Sequence, residues 1–199
     1  MKLNIKKEKD NTLTFELKDA SPAYANALRR TIMREVPVMA IKEVDIYENT
    51  SSLFPEYIAH RLGMIPLTTD LTAYVLPENC CGGNCSKCST ILTLDVEGPK
   101  TVYSKDLKPT DENVTPAYEN IPIIKLIEGQ RLRLEAKAVL GRSKDHARWQ
   151  SCHVSYNTTN GKDYKFELES YGNLPAKKIL EKAVKILETG VKEIKAKVK

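Results

Sequence analysis

No stretch of this 199-residue chain carries the ~20 consecutive apolar residues that a helix needs to cross a bilayer. The opening segment, residues 1–10, is too polar to serve as the apolar region of a secretory signal, so a cytoplasmic protein is expected. A Gly-rich phosphate loop of the Walker type is missing, and so is a closely spaced carboxylate triad for metal-assisted chemistry. Histidine is scarce, occurring only at residues 60, 146 and 153, and none stands in a recognisable acid–base arrangement. A membrane-spanning helix is thereby not expected, and an enzyme would have no visible machinery apart from its cysteines.

The net charge of +5 suggests nucleic-acid binding until it is located. Residues 173–199 hold eight lysines against three glutamates, while the preceding residues balance at 23 basic and 23 acidic. Phosphate recognition needs a basic footprint spread over a binding face. Here the whole excess sits on one C-terminal segment, as expected for the solvated side of a helix.

What the chain does have is a run of cysteines. Four of five fall between Cys80 and Cys88, a crowding that in a reducing compartment points to a metal or a redox site. Cys81, Cys85 and Cys88 can turn thiolates towards one tetrahedral ion, with Gly82 and Gly83 permitting the tight turn. Four thiolates in nine residues suit zinc, and so small a loop would gain its order from the metal. Cys80 and Cys81 are adjacent, however, and neighbouring side chains diverge, so strain is expected at the fourth ligand. Zinc, a metal-free loop, a disulfide-bonded loop and, least expected, an iron–sulfur cluster stay open as alternatives. A thiol redox pair, Cys85 with Cys88, would need a helix N-terminus in a βαβ setting. Cys152 reads as a packed strand thiol.

Periodicity supplies the elements. Leu3 and Ile5, then Leu13, Phe15 and Leu17, alternate around Lys9-Asp10-Asn11 and predict a hairpin with one buried face. Ser21-Pro22 predicts a helix start, and Val36-Pro37 its end near Glu35. A strand is expected at Val44 and Ile46, a short amphipathic helix over residues 55–62, and strands over 92–96, 131–138 and 164–168. Asn160-Gly161 marks a hairpin turn. Residues 98–122, with four prolines, read as mostly loop. Leu180, Val184, Leu187, Val191, Ile194 and Val198 recur at steps of four and three, the seam of a terminal helix that must pack on something. Ile179, Ala183 and Ile186 widen it into a stripe. The order of elements is that of an α+β protein whose first domain is split by an insertion.

Four segments resemble one family. Residues 21–33 (SPAYANALRRTIM), with Val36-Pro37 and Ala40-Ile41, look like the dimerisation helix of the α-like subunits of RNA polymerase. Residues 60–67 (HRLGMIPL), 144–149 (KDHARW) and 166–172 (FELESYG) are similar to further signatures of that family, above all of its archaeal D subunits. The family also includes bacterial α and the third-largest subunit of eukaryotic RNA polymerase II. The resemblance implies a discontinuous dimerisation domain of antiparallel strands plus two helices, residues 1–41 with 153–199. It also implies an inserted, mainly β domain, residues 42–152, carrying the cysteine loop at 80–88. It further implies a non-catalytic platform that pairs with a small L-type subunit and docks the large catalytic subunits and the small subunits N and P. DNA would be met only through the complex. Eukaryotic members often carry a zinc loop here. The ferredoxin-like iron–sulfur insert of some archaeal members has neither room nor a second cysteine run in this chain.

The subunit-interface candidates are Leu28, Arg29, Arg30 and Ile32 on the first helix and Leu180, Val184, Leu187 and Val191 on the last. His146, Arg148 and Trp149 join them, since Trp and Arg are favoured at interface hot spots. Core packing is the competing expectation for each apolar position, and aspartate at Leu187 would separate the two. The rival function is a stand-alone zinc-loop protein that binds nucleic acid or regulates transcription. It would need a basic surface outside the terminal helix.

Overall fold

The computed structural model of the protein describes residues 1–198. In chain order the elements are β1 (Lys2–Lys9), β2 (Thr12–Lys18), α1 (Pro22–Arg34), β3 (Val38–Asn49), α2 (Pro55–Gly63), β4 (Ser89–Glu97) and β5 (Lys100–Tyr103). There follow β6 (Lys108–Pro109), β7 (Pro122–Leu126), β8 (Arg131–Gly141), β9 (Cys152–Thr158), β10 (Tyr164–Ser170) and α3 (Ala176–Lys197). The fold is mixed and rich in sheet, with three α-helices among the described residues. Two compact units emerge. One combines Met1–Val36, Arg142–His146 and the residues from Gln150 onward; the other is Pro37–Gly141 with Ala147–Trp149.

The first unit is an antiparallel sheet in the order β1-β2-β10-β9 with two helices. The Ser21 hydroxyl accepts the Tyr24 backbone N–H at 3.2 Å and caps α1, whose first residue is Pro22. Asp10, at φ 48°, turns β1 into β2. Phe15 of β2 lies opposite Phe166 of β10, and the two rings stack with centroids 4.7 Å apart. Leu13, Leu17, Val154 and Leu168 complete that buried face, with the helices packed over β2, β9 and β10. One expectation fails here. Leu3 and Ile5 face the same way as their partners Leu17 and Phe15, yet they are 41% and 45% exposed. They sit on the edge strand, where the helical layer has thinned out.

Helix α3 divides along its length. Ile179, Leu180 and Ala183 are buried in the unit, whereas Val184 is 39% exposed, Val191 52% and Ile194 65%. Its first half therefore belongs to the core, and its second half carries an apolar stripe into solvent.

The second unit contains the antiparallel sheet β3-β8-β4-β6, the pair β5-β7 and α2. Its core gathers Ile41, Ile58, Leu62, Leu92, Leu134 and Ala136. Residues 37–41, expected with the first domain, group with the second unit, where residues 38–41 open the long strand β3 with Val38 opposite Gly141 of β8. Proline at 37 ends one helical element and sets an extended start for the next strand. The segment 98–122, expected as mostly loop, is mostly loop, interrupted by the short strands β5 and β6. These strands are too short to leave a period in the sequence. The buried Tyr74 hydroxyl bonds to the Asp111 carboxylate and ties this segment down; burial and that bond push the tyrosine up to about 12.

Trp149 and Arg148 turn inward. The indole Nε1 donates to the Val139 carbonyl at 3.1 Å, and a Cβ at Gly141 would overlap the ring. The Arg148 guanidinium donates to the Ile41 carbonyl at 2.9 Å and lies beside Gly63. Gly141→Ala is thus expected to destabilise the unit by about 1–3 kcal/mol, the usual cost of overpacking. A lower denaturant midpoint would register this, and an unchanged midpoint would mean the ring can step aside.

Candidate functional site

The cysteine loop runs from a 3-10 turn at Pro77–Asn79 to the start of β4. The backbone N–H groups of Cys80 and Gly82 both donate to the Pro77 carbonyl at 3.1 Å, and Val75 N–H closes the loop onto the Lys87 carbonyl at 2.9 Å. Gly82 (φ 83°) and Gly83 (φ 106°) supply the left-handed turns, a conformation that side chains resist. The four sulfurs converge. Cys80 Sγ is 3.3 Å from Cys85 Sγ, Cys81 Sγ is 3.6 Å from Cys88 Sγ, and Cys85 and Cys88 sulfurs are 3.5 Å apart. All four lie within 4.8 Å of one another.

The strain expected from adjacent cysteines does not keep the fourth sulfur away. Cys80 adopts φ −140°, ψ −136°, and this twist turns its side chain and that of Cys81 to the same point. A tetrahedron of ~2.3 Å zinc–sulfur bonds has edges of roughly 3.8 Å, close to the spacing of these thiols. Four soft sulfur donors are the set that suits zinc. All five cysteines are free thiols, and Cys152 is buried in β9, where burial pushes it up to about 11. Within the cluster, hydrogen bonds from Cys85 and from the Asn84 backbone bring Cys81 down to about 6, while donating to Cys81 and Cys80 holds Cys85 up at about 12. A redox nucleophile at Cys85 would need a helix N-terminus, and among the described residues none begins at this loop.

The interface candidates separate by burial. Leu28, Ile32 and Leu180 are at most 4% exposed, so their own unit already covers them. Val184 and Val191 remain exposed, and Leu187 is half-buried. On α1, Arg30 is exposed, whereas Arg29 is half-buried and donates to Asn26 Oδ1 at 3.1 Å. His146 is exposed, but Arg148 and Trp149 spend their polar atoms on the chain's own backbone. Two features went unread in the sequence. Leu3 and Ile5 add apolar surface to the first unit, and Phe54 and Met64, which flank α2, stand 69% and 47% exposed, with Tyr57 of α2 at 64%. The three-residue and seven-residue steps between residues 54, 57 and 64 were the available signal.

Comparison with known proteins places the chain in a family. The family described as RNA polymerase Rpb3/RpoA insert domain matches residues 44–157. The chain is 49% identical over 156 residues to DNA-directed RNA polymerase subunit Rpo3 of Pyrococcus furiosus, covering 78% of this chain and 58% of that protein. It is 47% identical over 154 residues to the subunit of that name from Archaeoglobus fulgidus, covering 76% and 58%. With the Methanosphaera stadtmanae subunit Rpo3 the identity is 39% over 175 residues, covering 85% and 63%. The matches thus span about three-fifths of each relative's length. With more than half of its residues matched, this chain belongs to the RNA polymerase Rpb3/RpoA insert-domain family.

Proposed function

We propose that the protein is a non-catalytic assembly subunit of an archaeal DNA-directed RNA polymerase, working in the cytoplasm. In this reading the unit built from both chain ends is the discontinuous dimerisation domain, and it pairs with a small L-type subunit. The large catalytic subunits and the small subunits N and P dock on the pair, and the chain between the halves of the split domain is the insert. The observation that carries the reading is the apolar stripe from Val184 to Ile194, left in solvent on a helix whose first half is firmly packed. A stripe of that kind gains free energy by burial against a partner, at roughly 25 cal/mol per Å². Leu3 and Ile5 extend the apolar surface of the same unit. The relatives' names support the polymerase assignment, and the scarcity of acid–base groups supports a structural role. No helix among the described residues is long and apolar enough to cross a membrane.

Within that role the cysteine loop is a structural zinc centre held by Cys80, Cys81, Cys85 and Cys88. Zinc supplies ordering energy there, since the loop has little apolar content of its own. A tagged copy recovered from the source cells is expected to bring two very large chains, several small ones and templated RNA synthesis. A lone monomer without that activity would rule the assembly reading out.

A further inference from the structure

A polar contact outside the sulfurs ties the middle of the cysteine loop to a strand distant in the chain. Asn84 sits between the two cysteine pairs, and its backbone N–H donates to Cys81 Sγ at 3.3 Å. Its side-chain oxygen accepts from Lys137 Nζ of β8 at 2.7 Å. Lys137 in turn lies 3.4 Å from a Glu43 carboxylate oxygen of β3, so the lysine is held from behind. Its side chain is only 26% exposed, which makes this contact better fixed than a fully solvated ion pair. A continuous path therefore runs from a rigid strand pair, through one lysine and one amide, to a sulfur of the cluster.

We infer that Lys137 is a positioning residue for the metal centre: by holding the Asn84 amide it orients the Asn84 N–H onto Cys81 and pre-forms the loop for zinc. The inference rests on the reading of the cysteine cluster as a metal site. Two physical effects act in the same direction. A backbone N–H aimed at a thiolate stabilises the charged form that binds metal. The lysine also places a positive charge near a site whose four thiolates and one divalent ion sum to a net negative charge. Outer groups of this kind typically alter metal affinity by about 10–100-fold when removed.

The test uses the full chain and zinc alone, titrated against a chromophoric chelator, with cobalt as a spectroscopic probe. Lys137→Met and Asn84→Ala are each expected to weaken zinc binding by about 10-fold. The double variant is expected to lose no more than the worse single one, because both remove the same link. Lys137→Arg, which keeps a donor and the charge, should recover most of the affinity. The cobalt–thiolate charge-transfer band should keep its four-sulfur intensity in every variant, as a positioning residue is not a ligand. A circular dichroism spectrum unchanged from wild type separates the effect from misfolding. Equal zinc affinity in wild type and Lys137→Met, or strictly additive losses in the double variant, would overturn the inference while leaving the metal centre in place. A wild-type chain that binds no zinc would remove both.

Discussion

Val184→Asp combined with Val191→Asp is expected to leave the isolated chain folded and to weaken pairing with the small partner subunit by more than about 100-fold. Both positions are already well exposed, so a carboxylate at either is hydrated in the free protein and should change its stability by no more than about 0.5 kcal/mol. In the complex the same carboxylates would be buried without a counter-charge, at a cost of several kcal/mol. A loss of about 3 kcal/mol already exceeds a hundredfold in affinity. Size-exclusion chromatography of the co-expressed pair, with circular dichroism of the variant alone, reads both halves of the expectation. Retained pairing would show that the stripe faces solvent in the complex too. Leu187 is a less clean choice than the sequence suggests, because it is already half-covered by its own unit. Leu28→Asp and Ile32→Asp serve as contrasts, since both are core positions and should unfold the chain.

Cys88→Ser is expected to empty the metal centre. Cys88 is fully buried, and its sulfur contacts those of both Cys81 and Cys85, so three remaining thiols would have no closed tetrahedron to offer. Zinc content by elemental analysis should fall from about one equivalent per chain to near zero. The loop should become a site of rapid proteolysis, and the melting temperature should drop by roughly 5 °C or more as its ordering energy disappears. Cys152→Ser is the control, lying in another unit and expected to keep its zinc. Full zinc occupancy in Cys88→Ser would mean that the metal is held elsewhere.

Elements whose cause is local could be read in advance. Ser21 and Pro22 start a helix because they satisfy and vacate backbone groups within one turn. The alternation over 131–138 needs only one sheet face to be covered. The crowding of sulfurs was equally plain from their spacing. What stayed hidden depended on neighbours distant in the chain. Alternation told which side of β1 carries Leu3 and Ile5, but not how far the helical layer extends above them. Helical spacing told that α3 has a stripe, but not that the core stops at Ala183. Arg148 and Trp149 have the chemistry of interface residues, yet the space left by Gly141 admits the Trp149 ring and the Ile41 and Lys42 carbonyls hold Arg148. The convergence of Cys80 with Cys81 came from an unusual backbone twist at one residue, for which the sequence offers no marker. Lys137 and Asn84, separated by 53 positions, leave no joint signal at all.

The sheet order β1-β2-β10-β9 also imposes a timetable on synthesis. Leu13 of β2 must wait for Leu168 of β10, which leaves the ribosome much later. At about 5–20 residues per second the delay is on the order of ten seconds, during which Leu13, Phe15 and Leu17 lack the strand that completes their sheet. The intervening residues can meanwhile reach their own sheet. Because α3 follows β10, a chain whose translation stalls before β10 carries the cysteine loop but lacks the Val184–Ile194 stripe that the proposed pairing uses. Under the proposed pairing, assembly would then act as a proofreading step, admitting only those polypeptides on which translation has run through α3.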